Sequence, residues 1–256
     1  MEHSLCAKIK TAAYGARPVL QGVDVTFFSG QLVCLCGPNG SGKSTLLSLM
    51  AGLCESSLTV EGQVLINNQN LSLLKAKEKA RLIAYMEQSA FSAWDFTVFD
   101  FVLQGRYAYT SMGFYSQTDK DFALECLSLL GIAAFADKKI MSISGGEFQK
   151  VRLARALCQN PAFLLLDEPA SNLDFVYEPS LLKVLKELAA KKNIGVILSM
   201  HDVNLAARFA DKILLLGPQK SPLFGPVNDI LNEENLEKTF GVAFECQKIK
   251  YFQSLQ

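Results

Sequence analysis

Short apolar runs recur along the chain, and a glycine-rich turn or polar residues follow three of the four. They lie at residues 32–36, 163–166, 194–200 and 213–216. Mainly apolar runs of this length are typical of strands that are buried on both faces of a sheet. Helical patterns lie between and beside the runs, at residues 45–50, 148–157, 181–190 and 203–209. Strands that alternate with helices predict an α/β fold with a parallel sheet covered on both faces.

The N-terminal part and the middle of the chain show other patterns. Residues 23–28 and 63–66 are short strand-like segments with turn residues nearby, and they suit an antiparallel sheet. Residues 91–139 contain no buried-strand run. We therefore expect a helical insertion between two halves of the core.

Composition and charge narrow the function classes. The chain has 25 basic and 25 acidic residues, which argues against a polybasic nucleic-acid binder. Hydrophobic residues make up 50% and charged residues 20%, so the chain is not intrinsically disordered. The mean hydropathy of +0.19 suggests an apolar face that a partner covers. The start of the chain lacks a signal-peptide pattern and the seven cysteines lack a paired spacing, so we expect a protein of the reducing cytosol.

A glycine-rich turn follows the first apolar run and precedes a helix. The turn fits the pattern GxxxxGK[ST] with residues Gly37, Pro38, Asn39, Gly40, Ser41, Gly42, Lys43, Ser44 and Thr45. Glycines let backbone N–H groups turn towards a phosphate, because a side chain would block that approach. Lys43 would bring a positive charge to the β- and γ-phosphates, and the Ser44 hydroxyl can bind Mg²⁺. The helix that follows points its positive end at the same anion.

Acidic residues and a histidine follow two of the other apolar runs. Asp167 and Glu168 end the second run, and His201 follows the third. Ligands of parallel sheets bind beyond the carboxyl ends of the strands, where these side chains and the glycine-rich turn would meet. A carboxylate at a strand end can hold Mg²⁺ through water, which suits Asp167, and a second carboxylate can orient the attacking water, which suits Glu168.

A further motif, Ser144-Gly145-Gly146-Glu147, precedes the helix predicted at 148–157. A serine, two glycines and an acid also make an ordinary helix N-cap and first turn. Taken alone, the motif does not decide between a helix cap and a nucleotide contact.

Together these motifs resemble the nucleotide-binding subunit of ATP-binding-cassette (ABC) transporters. The glycine-rich turn, the Ser144 motif, the Asp167-Glu168 pair and His201 match that family in order and spacing. Further matches are Gln88 after a strand at 84–86, the segment Ser171-Asn172-Leu173-Asp174, and Tyr14 where the family has an aromatic residue. Segments at 97–107, 201–211 and 233–242 resemble the importer branch for ferric siderophores, haem and cobalamin.

The resemblance implies one ABC ATPase domain over residues 1–256, with a parallel P-loop NTPase (RecA-like) sheet as its core. Residues 1–90 and 149–256 would form this catalytic core together with an N-terminal antiparallel β subdomain. Residues 91–148 would form an inserted helical subdomain that ends in the signature motif, which is the Ser144 motif.

The resemblance also implies ATP and Mg²⁺ as cofactors and assigns the site residues. The catalytic residues would be Glu168, His201 and Gln88, and the Mg²⁺ ligands would be Ser44, Gln88 and Asp167. The nucleotide would contact Tyr14, residues 37–45, and Ser144, Gly145, Gly146 and Asp174. Tyr14 would stack on adenine, although a tyrosine beside a strand can equally be a packing residue.

The partners follow from the same resemblance. In this family the signature motif of one subunit closes over the ATP of another, which implies a homodimer. Two transmembrane permease subunits and, indirectly, a solute-binding protein complete the assembly at the inner face of the cell membrane. The activity would be ATP hydrolysis coupled to import of an iron–siderophore, haem or cobalamin, and another solute such as a metal ion stays open.

This sequence lacks the features that mark other classes of P-loop protein. An ABC ATPase of DNA repair carries a very long coiled coil between the P-loop and the signature motif, and this chain has no segment of that length there. An ABC ATPase of translation carries two cassettes, and this chain has one. The third alternative is an ordinary P-loop GTPase or kinase. The Asn-Lys-x-Asp motif that reads guanine is absent from this sequence, and neither group needs Ser144-Gly145-Gly146.

Two features leave alternatives open. Aromatic residues follow Gln88, namely Trp94, Phe96, Phe99, Phe101, Tyr107 and Tyr109. They form either the core of the helical insertion or a groove that receives a helix of a permease. Cys36 is either a packing residue at a strand end or a reactive thiolate stabilised by Lys43 and nearby N–H groups.

Overall fold

The computed structural model describes residues 2–88, 95–170, 177–217 and 221–246. The strands within these ranges are β1 Ser4–Tyr14, β2 Arg17–Phe28, β3 Leu32–Cys36, β4 Leu58–Ile66, β5 Gln69–Asn70, β6 Ile83–Met86, β7 Phe163–Leu166, β8 Gly195–Ser199, β9 Lys212–Leu215 and β10 Leu223–Pro226. The α-helices are α1 Lys43–Met50, α2 Ala76–Leu82, α3 Val98–Leu103, α4 Gln117–Leu129, α5 Gly145–Cys158, α6 Tyr177–Lys192, α7 Val203–Phe209, α8 Val227–Ile230 and α9 Glu233–Phe240.

The central sheet has the strand order β10-β9-β3-β8-β7-β6. Five of these strands run parallel, and β10 pairs antiparallel with β9 at one edge. The four apolar runs are all strands of this sheet, so the predicted parallel core is confirmed. The runs at 32–36 and 163–166 match β3 and β7 residue for residue.

Alternate residues of the central sheet face two separate core layers. Leu32, Cys34 and Cys36 of β3 pack with the helices α3 to α6. Val33 and Leu35 point the other way and pack with α1 and the N-terminal sheet. A strand between two apolar layers needs apolar side chains at every position, which explains the uninterrupted runs.

The N-terminal sheet is antiparallel, as predicted, with the order β2-β1-β4-β5. Its strands are longer than expected, and β1 was not predicted from the sequence. Only one face of β1 is covered. Leu5, Ala7 and Ile9 are buried, whereas Lys8 and Lys10, on the opposite face, are exposed. This alternating pattern gives no apolar run, although it is the pattern of a half-buried strand.

Helices dominate the middle of the chain, as predicted. Helices α3, α4 and α5 pack on one another and on one face of the central sheet. Helix α5 runs from Gly145 to Cys158 and therefore crosses the predicted boundary between residue 148 of the helical subdomain and residue 149 of the catalytic core. The division into core and helical subdomain stays a prediction.

Candidate functional site

A cavity of about 730 Å³ lies at the carboxyl ends of β3, β7 and β8. It is lined by Tyr14, Arg17, Val19, Asn39, Gly40, Ser41, Gly42, Lys43, Ser44, Thr45, Gln88, Glu168 and His201. Its volume falls within the range of roughly 300–1,000 Å³ that is typical of small-molecule sites. The structure therefore brings most of the predicted site residues to one cavity.

Two glycines allow the loop between β3 and α1 to form. Gly37 has a φ of 156°, and a Cβ atom there would lie 2.0 Å from the backbone oxygen of Leu216. Gly42 has a φ of 93° and caps α1, and a Cβ atom there would lie 2.6 Å from a methyl group of Leu20. Only glycine fits such contacts and such φ values, so the sequence pattern reflects a steric requirement.

The loop presents a buried cation and an unpartnered hydroxyl. Lys43 is only 6% exposed, and its Nζ donates to the backbone oxygens of Gly37 (2.9 Å) and Pro38 (3.1 Å). Burial lowers the pKa of Lys43, and the charges of Glu168 and Asp167 oppose this shift. The Oγ of Ser41 is buried and has no hydrogen-bond partner among the described residues. A buried polar atom usually has a partner, so these groups fit a bound phosphate.

Glu168 joins the predicted catalytic residues into one cluster. Its Oε2 accepts a hydrogen bond from Gln88 Nε2 (2.6 Å), and its Oε1 lies 2.7 Å from His201 Nε2. The three residues come from the ends of β6, β7 and β8, which are neighbours in the sheet. Their side chains meet although they are far apart along the chain.

Asp167 is buried at the end of β7, beside the cavity rather than on its surface. Its Oδ1 accepts a hydrogen bond from the Oγ of Ser199 (2.6 Å). Sequence reasoning missed Ser199. The available indication was a single hydroxyl within an otherwise apolar run at 194–200.

Tyr14 lies at the end of β1 and lines the cavity together with Arg17 and Val19 of β2. Partial burial raises the pKa of the Tyr14 phenol, and the charge of Glu55 adds to the shift. Arg17 and Val19 were not predicted, because neither belongs to a recognisable motif.

The Ser144 motif begins α5 as a capping box. The Oγ and N–H of Ser144 donate to Glu147 Oε2 (2.8 and 2.7 Å), and the N–H of Glu147 donates back to Ser144 Oγ (3.3 Å). These bonds hold the pKa of Glu147 below its ordinary value. The motif therefore forms a helix cap, and its contact with a nucleotide stays a prediction. The cavity of this chain is not lined by the predicted contact residues Ser144, Gly145 and Gly146. The predicted contact residue Asp174 lies outside the described residues.

The hypothesis of a reactive thiolate at Cys36 is wrong. Cys36 is fully buried between the sheet and the helices. Burial raises the pKa of its thiol to about 12, and the opposing charge of Lys43 is too weak to reverse the shift. Cys36 is a packing residue.

The site and the fold define a P-loop NTPase. A phosphate-binding loop follows a central parallel strand, and acidic residues follow a neighbouring strand of the same sheet. A family model described as ABC transporter matches residues 20–171, and the chain belongs to this family. It is an ATP-binding ABC ATPase subunit, whose hydrolysis of ATP is coupled to transport.

Relatives of known sequence cover nearly the whole chain. A hemin import ATP-binding protein of Bordetella pertussis is 34% identical over 248 residues, which are 93% of this chain and 92% of that protein. An uncharacterized ABC transporter ATP-binding protein of Methanocaldococcus jannaschii is 32% identical over 246 residues, which are 95% of this chain and 84% of that protein.

Solved structures show the same architecture. A transporter assigned to the metal-chelate ABC type, in an inward-facing conformation, matches with a TM-score of 0.81 and 28% identity, covering 94% of this chain and 90% of that one. A bacterial ABC transporter cassette solved as a dimer matches with a TM-score of 0.73 and 28% identity, covering 88% of this chain and 98% of that one. Within the described residues, no helix combines the length and apolar character needed to cross a bilayer.

Proposed function

We propose that this ATPase subunit powers an importer for a metal-containing complex, namely an iron–siderophore, haem or cobalamin. The observation that carries the cargo class is the match to hemin import ATP-binding proteins over about nine-tenths of the chain. The neighbouring structure of the metal-chelate type supports the same class. The subunit would work at the inner face of the cell membrane, beneath the permease.

Glu168 is the residue that we propose to orient the attacking water. Its carboxylate lies in the cavity that holds Lys43, and Gln88 and His201 fix its two oxygens. His201 would contact the γ-phosphate, because it borders the same cavity. A positioned base of this kind contributes about 10²–10⁴-fold to a reaction rate.

The residues present fit Mg²⁺. Asp167 supplies a buried carboxylate, Ser44 a hydroxyl and Gln88 an amide oxygen, which are ligands that Mg²⁺ accepts beside phosphate oxygens. When bound, the ion would neutralise charge on the phosphates. We propose these three residues as its protein ligands.

The subunit would act as a homodimer with two permease subunits, and indirectly with a solute-binding protein. The related cassette solved as a dimer supports the dimer, and the import proteins among the relatives support the permease. Each chain contains one phosphate-binding loop and one signature motif. The signature motif lies away from the cavity of its own chain, where a second subunit could use it.

We place the permease contact in a groove of about 280 Å³ between the central sheet and α5. The groove is lined by Leu53, Tyr85, Met86, Glu87, Phe101, Arg152, Arg155, Ala156 and Gln159. Burial lowers the pKa of both arginines, and at Arg152 the charge of Glu87 opposes the shift. Neither arginine forms an ion pair with a described residue, so an acidic side chain of the permease would suit this groove.

The aromatic residues after Gln88 divide between core and surface. Phe101 is buried and also borders the groove, while Phe96 and Phe99 are half-buried against the core. Tyr109 donates its hydroxyl to the backbone oxygen of Gln159 (2.9 Å), and Tyr107 is 60% exposed. Trp94 lies outside the described residues.

Leu53 offers a sharper test of the groove than the aromatic residues. Leu53→Asp should abolish co-purification with the permease pair, because the new carboxylate would compete for the two arginines of the groove and repel an acidic side chain of the permease. ATP binding should be unchanged. Leu53 is 51% exposed, so the substitution should alter the free energy of unfolding by no more than about 0.5 kcal/mol. Leu73→Asp is the matched control, since Leu73 is 77% exposed and lies outside the groove. If Leu53→Asp retained permease binding at the level of the Leu73→Asp control, the groove would be excluded as the contact.

The cargo class is tested by uptake in cells that lack this chain. We expect loss of accumulation of one labelled cargo among hemin, a ferric siderophore and cobalamin, restored by the wild-type chain but not by Glu168→Gln. Normal uptake of all three would favour importers of another solute, such as a metal ion, or a non-transport ABC ATPase.

A further inference from the structure

Ser199, the last residue of β8, places its hydroxyl between the two acidic residues that follow β7. Its side chain is 0% exposed. The Oγ donates to Asp167 Oδ1 (2.6 Å) and accepts from the backbone N–H of Glu168 (2.8 Å). A buried hydroxyl is unfavourable unless it is hydrogen-bonded. Here both its donor and its acceptor are used, and both partners belong to the proposed catalytic machinery.

The sheet register explains why this position meets the acids. Leu166 of β7 is paired with Leu198 of β8, so the next residue of each strand lies at the same level of the sheet. Ser199 shares its face of the sheet with Ile197, which packs in the layer that contains α1. The hydroxyl therefore lies on the side of the sheet from which the phosphate-binding loop leads into its helix.

Glu168 needs such a contact because its backbone is unusual. Its φ is +45°, in the left-handed region that residues with a Cβ atom rarely adopt. Conformations of this kind persist where surrounding contacts hold them, and they cluster at functional sites. The N–H bond to Ser199 is one such contact, and the side-chain bonds to Gln88 and His201 are the others.

We infer that Ser199 is a positioning residue that holds the carboxylate of Asp167 and the backbone of Glu168 in one arrangement. The metal-binding acid and the water-orienting acid are then fixed relative to each other by a single hydroxyl. This inference rests on the roles proposed above for Asp167 and Glu168.

The first test needs neither nucleotide nor metal. In Ser199→Ala, the N–H of Glu168 loses its acceptor, so its hydrogen exchange should accelerate at least about tenfold over wild type, since exchange follows local opening. The N–H of Asp167 donates to the backbone oxygen of Met86 (2.8 Å) and serves as the internal reference. Single-residue exchange measured on the full-length protein distinguishes the two amides. Unchanged exchange at Glu168 would overturn the inference.

The second test is steady-state kinetics at varied Mg²⁺. Ser199→Ala should lower kcat by about 10- to 100-fold and raise the Mg²⁺ concentration needed for half-maximal rate, as is usual when the partner of a metal-binding carboxylate is removed. The KM for ATP should stay within about twofold, because the phosphate-binding loop is untouched. Ser199→Thr keeps a hydroxyl and should retain most of kcat. A kcat within about twofold of wild type in Ser199→Ala would overturn the inference.

Two further variants separate positioning from stability. Thr239→Val removes a hydroxyl of similar burial that donates within its own helix, to the backbone oxygen of Asn235, and it should leave kcat unchanged. If Ser199→Ala does not fold, Ser199→Cys replaces it, since a thiol is a much weaker donor of similar size. Full turnover in Glu168→Gln would refute the role proposed above for Glu168, whereas the exchange measurement would still decide whether Ser199 holds that backbone.

Discussion

Glu168→Gln is expected to abolish ATP turnover while ATP remains bound. Glutamine keeps the size of the side chain but has no charge with which to orient and polarise water. The expected loss in kcat is about 10²–10⁴-fold, the usual contribution of a positioned base. ATP binding should persist, because the phosphate-binding loop and Lys43 are unchanged. Steady-state hydrolysis and equilibrium binding of ATP measure the two effects separately.

The same variant should accumulate as an ATP-bound dimer, because hydrolysis is the step that would allow the two subunits to separate. Size-exclusion chromatography with and without Mg-ATP detects that species. Glu61→Gln is a suitable control, since Glu61 is an exposed acid paired with Lys10 on the N-terminal sheet. Turnover near the wild-type rate in Glu168→Gln would remove Glu168 from the mechanism.

The central sheet and the phosphate-binding loop could be predicted from the sequence because local constraints dictate them. Strand β3 is buried on both faces, so every one of its positions is apolar. Gly37 and Gly42 are required by backbone contacts within the loop and its neighbours. Such features leave a pattern in a few consecutive residues. Strand β1 has only one covered face, and its alternating residues gave too weak a pattern.

Contacts between distant residues could be predicted only as a shared edge of the sheet. Gln88 and Glu168 are separated by 80 residues, and their hydrogen bond depends on the order of β6, β7 and β8 in the sheet. That order placed the side chains near one another but did not reveal which atoms bond. The bond from Ser199 to Asp167 depends on strand register, which a single hydroxyl in an apolar run does not disclose.

The position of the signature motif supports our proposal that two subunits together form each ATP site. Ser144 caps α5 and is exposed, away from the cavity that contains Lys43. A helix N-terminus offers N–H donors and a favourable dipole to an anion. In a symmetric pair, the N-terminus of α5 in one subunit would close the cavity of the other.

A mixture of two inactive variants should therefore recover activity. Lys43→Ala removes the buried cation, and Ser144→Arg places a bulky charge at the N-terminus of α5. Each variant alone has no intact composite site, so each should lose at least about 10²-fold in turnover, the loss that follows removal of a single electrostatic contact to the transition state. In a mixed dimer, the loop of the Ser144→Arg chain meets the signature motif of the Lys43→Ala chain, and that one site is intact.

Equal amounts of the two chains, allowed to exchange partners at random, should recover up to about one quarter of the wild-type rate, because half of the dimers are mixed and each has one of two sites. Hydrolysis is measured on the mixture and on each variant at the same total concentration. Loss of the Ser144 cap should cost about 1 kcal/mol of stability, so thermal unfolding must show that both chains are folded.

Lys43→Ala mixed with Glu168→Gln is the control. In that mixed dimer, the one site with an intact loop lacks Glu168, so the mixture should stay inactive. The shared site would be wrong if the mixture stayed inactive and monomeric Ser144→Arg lost as much turnover as the dimer. The signature motif would then serve the site of its own chain.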